Sequence, residues 1–130
     1  MIYFDTSALI KLVVAEDETQ ALVKWLREHP GQRWVTSDLT RVELLRAVMR
    51  REPTALLQAQ QRLSRMVRIP LMEGVLQYAS MCRPPLLRSL DAIHLASVLE
   101  YHKDIEWMLV YDKRLAEAAS AGGVNVACPA

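Results

Sequence analysis

The chain has 130 residues, 52% of them hydrophobic, and a formal net charge of +1. A chain of this length builds one core that buries about two thirds of its unfolded surface, and its near-neutral balance excludes a polycation that grips nucleic acid through its total field. No apolar run approaches the roughly 18 residues of a membrane span, and Asp5 comes too early for a signal-peptide core, so a cytoplasmic protein without membrane contact is expected.

In chain order, Ile2 to Phe4 is a short β-favouring run ended by Asp5, and Ser7 to Val14 reads as a first helix. A second helix, Glu18 to Glu28, stops at the breaker pair Pro30-Gly31. Trp34 to Thr36 is the next strand, and Ser37 or Asp38 caps a helix from Leu39 to Arg51. Pro53 suits the first turn of the helix that follows, which runs to Met66. Val67 to Ile69 is a third strand, and helices at Met72 to Cys82 and Leu90 to Tyr101 precede a fourth, Trp107 to Tyr111. The last helix, Lys113 to Ala121, is stopped by Gly122-Gly123, and Val124 to Val126 closes the series. Strands alternating with helices predict an α/β fold in three α/β/α layers, a mainly parallel sheet of about five strands covered on both faces. A single domain over residues 1–130 is expected, and Cys82 and Cys128, which have no ligand or redox spacing, read as reduced thiols.

Four acids stand at positions where such a fold holds ligands. Asp5 and Asp112 each end an apolar strand, and Glu43 and Asp91 lie among apolar helix positions near helix starts. Singly each has a plain use, since an Asp before a helix is a good N-cap. Together, in one partly desolvated cleft, they would repel one another, and a divalent cation resolves that conflict. An all-oxygen set without nearby Cys or His suits Mg²⁺ or Mn²⁺, and a cation so held serves phosphodiester hydrolysis. Competing phosphate chemistries lack their parts: there is no G-x-x-x-x-G-K-[ST] or G-x-G-x-x-G, and Asp5-Thr6-Ser7 lacks the second acid of an aspartyl phosphatase. The stretch from Arg41 to Arg68 has seven arginines, no lysine and two acids, a local excess of five positive charges. It reads either as a solvated helix face or as a phosphate-facing surface.

Met1-Ile2-Tyr3-Phe4-Asp5-Thr6-Ser7-Ala8-Leu9, Glu43-Leu44-Leu45-Arg46-Ala47, Leu87-Arg88-Ser89-Leu90-Asp91-Ala92-Ile93-His94-Leu95-Ala96 and Val110-Tyr111-Asp112-Lys113-Arg114-Leu115 together resemble a PIN domain, and more narrowly a VapC-type toxin of a bacterial toxin–antitoxin pair. The resemblance spans the chain in order and spacing. It implies a Mg²⁺- or Mn²⁺-dependent endoribonuclease that acts on RNA, forms a homodimer, is held inactive by a VapB-type antitoxin and meets DNA only through that antitoxin. Position by position, Asp5, Glu43 and Asp91 match the family's core acids, and Asp112 its more variable fourth. Many relatives have Thr or Ser two residues before that fourth acid, whereas this chain has Val110, which leaves open whether Asp112 is a direct ligand.

Around these acids stand candidate substrate-binding residues, each with a competing use. Thr6 and Ser7 either bond Asp5 or the attacking water, or cap the first helix. Arg46, one turn after Glu43, either meets RNA phosphate or pairs with Glu43. Arg88 either meets phosphate or only sits at a helix start. His94 reads as a satisfied helix histidine and is assigned no catalysis. Trp25, Trp34 and the leucines between Pro53 and Met66 either form a groove for a partner helix or pack the core. Two other functions remain: a non-catalytic module that binds RNA or protein, and an RNA-maturation nuclease without antitoxin.

Overall fold

The computed structural model describes residues 1–130. Five strands, β1 (Ile2–Phe4), β2 (Trp34–Ser37), β3 (Val67–Ile69), β4 (Trp107–Leu109) and β5 (Val126–Ala127), form one sheet in the order β3-β2-β1-β4-β5, every pair parallel. The helices are α1 (Thr6–Leu9), α2 (Thr19–Glu28), α3 (Asp38–Arg51), α4 (Leu56–Ser64), α5 (Glu73–Ser80), α6 (Ser89–Glu100) and α7 (Lys113–Ala121). The expected three-layer α/β/α arrangement is present, and no helix is long and apolar enough to cross a membrane.

The alternation of β1 sorts the core. Ile2 and Phe4 face one apolar cluster with Leu22 of α2, Leu44 and Val48 of α3 and Leu63 of α4, whereas Tyr3 faces a second with Val75 of α5, Leu95 and Val98 of α6 and Leu115 of α7. All three β1 residues are fully buried, as befits the central strand of a sheet covered on both faces. The chain leaves β1 for β2 and β3 on one side and returns to β4 and β5 on the other. The strand order therefore reverses between β1 and β4, the place where open parallel sheets form a crevice at their carboxyl ends.

Several element ends differ from the expected ones. The first helix is a single turn, α1, that tightens into a 3₁₀ turn at Ile10–Leu12, and the helix expected from Pro53 opens as a 3₁₀ turn at Pro53–Ala55 before α4 begins. The fourth strand stops at Leu109 rather than Tyr111, because the Tyr111 amide donates to Ser7 Oγ instead of to a neighbouring strand. The last strand is Val126–Ala127 rather than Val124 to Val126: the Val124 amide still bonds back to Ala119 of α7, across the left-handed Gly123. Met72, Met81 and Cys82 lie just outside α5.

A buried hydroxyl chain locks α3 to β1. Thr36 and Thr40 are both fully buried, their hydroxyls stand 2.7 Å apart, and Thr36 Oγ1 is 2.7 Å from the Phe4 carbonyl, which accepts from it. Thr36→Val keeps the shape but strands these partners, so a loss of about 1–3 kcal/mol in urea-unfolding free energy is expected.

Candidate active site

Each acid is delivered to the carboxyl end of the sheet by a different local device. Asp5 follows β1 in extended conformation and caps α1, with Oδ2 accepting from the Ser7 amide at 3.2 Å and the Ser7 hydroxyl at 2.6 Å. The same Ser7 hydroxyl oxygen accepts from the Tyr111 amide at 2.9 Å, which ties the end of β1 to the chain leaving β4. Glu43 comes from the second turn of α3, a helix that Ser37 caps by accepting from the Leu39 amide, and the burial of Leu44 and Val48 sets its rotation. Asp91 lies in the first turn of α6, where a negative charge also complements the helix dipole. Asp112 caps α7, Oδ1 accepting from the Leu115 amide at 2.9 Å, and its side chain is exposed beside the buried Val110.

Asp5 and Glu43 meet at one imidazole. His94 Nε2 is 2.6 Å from Glu43 Oε1 and 3.3 Å from Asp5 Oδ1, and its Nδ1 is 2.7 Å from the Tyr3 hydroxyl. The Thr6 hydroxyl donates to the same Glu43 oxygen at 2.7 Å, so Thr6 serves Glu43 rather than Asp5. Of the two readings of Arg46, the i,i+3 pair with Glu43 does not form: Arg46 is exposed without an ion pair, and Glu43 is already held from α6 and α1. Arg88, extended at the start of α6, is likewise exposed and unpaired. His94, read from the sequence as a satisfied helix histidine, is satisfied by the acids of the site themselves, and Tyr3 is the site residue that the sequence reading missed. The available signal for Tyr3 was its two-residue spacing from Asp5 on the central strand.

The charges of the other three acids act on Asp91. Burial raises the Asp91 pKa, and the charges of Asp112, Asp5 and Glu43 raise it further against a smaller opposing pull from His94. Burial acts the same way on Glu43, but the hydrogen bond and charge of His94, with the Thr6 hydroxyl, outweigh it and hold Glu43 below its usual value. For His94 burial lowers the pKa, and the Glu43 bond with the charges of Asp5, Glu43 and Asp91 overcomes that and raises it. The carboxylates do not close into a cage: no three His, Cys, Asp or Glu side chains stand close enough to grip one ion by themselves. Glu43 Oε2 and Asp112 Oδ2 have no protein donor, while Glu43 Oε1 and Asp5 Oδ2 are committed. Such an oxygen-only, negatively charged and partly hydrated set fits Mg²⁺ or Mn²⁺, which bind through a few carboxylates and keep several waters.

The opposite end of the sheet has other chemistry. An open cavity of about 640 Å³ at the amino ends of β2 and β3 is lined by Trp34, Arg33, Arg62, Arg65 and glutamines, with Arg62 lying 5.8 Å from the Trp34 ring centre. It adjoins a groove between α2 and α4 formed by Leu12, Val23, Leu26 and Trp34 and flanked by Arg27 and Arg62. Trp25 packs instead on His29 and Trp107.

Comparison with known proteins finds relatives along nearly the whole chain. The PIN-domain sequence pattern matches residues 2–121. Ribonuclease VapC35 of Mycobacterium tuberculosis is 40% identical over 131 aligned residues, covering 99% of this chain and 97% of that protein. Ribonuclease VapC47 of the same organism is 41% identical over 132, with the same coverage. A solved toxin–antitoxin complex from Klebsiella pneumoniae has a chain that superposes on 100% of this one and 98% of its own length, with a TM-score of 0.76 at 19% identity, a likeness of fold.

The raised Asp91 pKa sets a pH dependence. A carboxyl whose folded pKa lies above its unfolded value adds stability that is complete below the unfolded pKa and is lost as pH rises through the folded one. In metal-free protein, urea midpoints of wild type and Asp91→Asn measured from about pH 4 to about pH 6 are expected to diverge, with the variant gaining on the wild type as pH rises.

Proposed function

The chain belongs to the PIN-domain family and within it to the VapC ribonuclease toxins of toxin–antitoxin systems, and on that footing we propose that it cuts RNA with a divalent cation, Mg²⁺ or Mn²⁺, held by Asp5, Glu43, Asp91 and Asp112. The observation that carries this reading is the convergence of acids drawn from β1, α3, α6 and the start of α7 at the switch point of the sheet, where the charges of Asp112, Asp5 and Glu43 add to burial in raising the Asp91 pKa. When bound there, the cation supplies Lewis acidity, lowering the pKa of water and offsetting charge on the scissile phosphate.

The chain's own residues do the positioning. Ser7 and Thr6 hold Asp5 and Glu43, each by a hydroxyl bond, so that one oxygen of each carboxylate is fixed. Asp112, with Oδ1 spent on capping α7, contributes through Oδ2, directly or through water. Arg46 and Arg88, exposed and without acidic partners, take RNA phosphates on either side of the cleft. Water attacks phosphorus, the bond to the 3′ oxygen breaks, and that oxygen takes up a proton, leaving a 5′-phosphate and a 3′-hydroxyl. The cytoplasm, where RNA is met, is the place of action.

The partner in this reading is a VapB-type antitoxin that carries any contact with DNA. The groove between α2 and α4 suits an apolar antitoxin segment with acidic flanks, matching Arg27 and Arg62. A homodimer covers exposed apolar side chains on the other layer, Met72, Met81 and Leu86 among them.

Purified chain incubated with cellular RNA is expected to make discrete cuts with Mg²⁺ or Mn²⁺ and none with excess chelator. Asp91→Asn is expected to lower cleavage by more than about 100-fold while the fold survives, a larger loss than an outer partner of a metal ligand brings. Undiminished cutting by that variant would refute the site. Arg46→Ala and Arg88→Ala are each expected to weaken RNA binding uniformly across sequences and to reduce the slope of log affinity against log salt by about 1, measured by fluorescence anisotropy.

A further inference from the structure

Two polar side chains near the acids are not used by the reading above. Tyr3 is fully buried and His94 is 1% exposed, so neither reaches RNA. Burying a phenol hydroxyl and an imidazole is costly unless both are satisfied, and a Phe and a Leu would fill much of the same space without that cost. Both are satisfied here by facing each other and the acids: the Tyr3 hydroxyl at Nδ1, and Glu43 with Asp5 at Nε2.

We propose that Tyr3 and His94 form a positioning pair that decides which oxygen of Glu43 is offered to the cation. The proposal rests on the reading of Glu43 as a ligand. Nε2 faces two carboxylate oxygens that only accept hydrogen bonds, so Nε2 carries the hydrogen whether the ring is neutral or charged. The Tyr3 hydroxyl at 2.7 Å pins the other nitrogen, and the imidazole cannot turn about its Cβ–Cγ bond without giving up contacts at both ends. One Glu43 oxygen, Oε1, then receives two donors, Nε2–H at 2.6 Å and the Thr6 hydroxyl at 2.7 Å, while Oε2 receives none. The pair also spans the layers. Tyr3 leaves β1 toward α6, His94 stands on α6, and Glu43 belongs to α3 across the sheet, so the contacts fix the height of α3 relative to α6 where the acids converge. A hydrogen bond to a metal-binding carboxylate orients it, and losing such a partner weakens metal binding about 10–100-fold.

The test is Mn²⁺ affinity of the full chain, read from the electron paramagnetic resonance of unbound ion, with thermal unfolding of the metal-free proteins alongside. Asp91→Asn is the control for the metal reading and is expected to abolish binding. Tyr3→Phe is expected to bind Mn²⁺ about 10-fold more weakly and His94→Leu about 10–100-fold, with His94→Gln, whose amide can still donate to Glu43, recovering part of the loss. Long-range ¹H–¹⁵N spectra of Mg²⁺-loaded wild type are expected to show the proton on Nε2. Folded Tyr3→Phe binding within about twofold of wild type would overturn the pair's role and leave the metal reading intact, since losing a group that orients a ligand costs more than that. If Tyr3→Phe does not fold, equal affinities of His94→Gln and His94→Leu, or an unprotonated Nε2 in the wild type, would overturn it instead. Wild type that binds Mn²⁺ no better than Asp91→Asn would overturn the metal reading and, with it, the pair built upon it.

Discussion

The structure turns on an imidazole standing between two carboxylates at the end of the central strand. Asp5 is 5% exposed, and a carboxyl group so buried is costly unless donors satisfy its oxygens. Ser7 supplies donors on one side of Asp5, and His94 lies against the other. The same ring reaches Glu43, so two acids that would repel one another share a donor that draws them into one place. Asp91 makes no such bond, and burial, with the charges of Asp112, Asp5 and Glu43 added to it, raises its pKa. Asp5 and Glu43 differ from Asp91 in that His94 touches the first two and not the third.

That arrangement explains how much the sequence disclosed. The fold was legible because the strand runs are short, apolar and separated by helical stretches, and because Asp5 and Asp112 mark the ends of two strands that become neighbours. The element edges were less so. Tyr111 has a strand-like side chain, yet its amide is taken by a hydroxyl 104 residues away, and periodicity does not record such bonds. Arg46 shows the same limit in reverse: a local i,i+3 rule predicts a pair with Glu43, but a histidine 51 residues away and a threonine 37 residues away occupy the carboxylate first. Tyr3 was hidden by its own fitness for β1, since an aromatic at a buried strand position needs no further reason.

The net charge of +1 conceals a division along the strand axis. The carboxyl ends of the strands collect Asp5, Glu43, Asp91 and Asp112, and the amino ends of β2 and β3 collect Arg33, Arg62 and Arg65 around Trp34. The arginine-rich stretch is therefore not one surface. Arg68 pairs with Asp38 and Arg51 with Glu16, Arg62 is half-buried against Trp34, and only Arg46 and its exposed neighbours are free near the acidic end. A polyanion drawn to a cation at the acidic end and an apolar segment with acidic flanks would meet different ends of the molecule.

The hydroxyl bond from Ser7 to Asp5 and the amide bond from Tyr111 to Ser7 join the first turn of the chain to residues near its end. During synthesis the amino-terminal strand leaves the ribosome first, but its central position in the sheet is completed only when β4 arrives to pair with it. Asp91 and Asp112 emerge later than Asp5 and Glu43, so a nascent or truncated chain holds half an acidic centre.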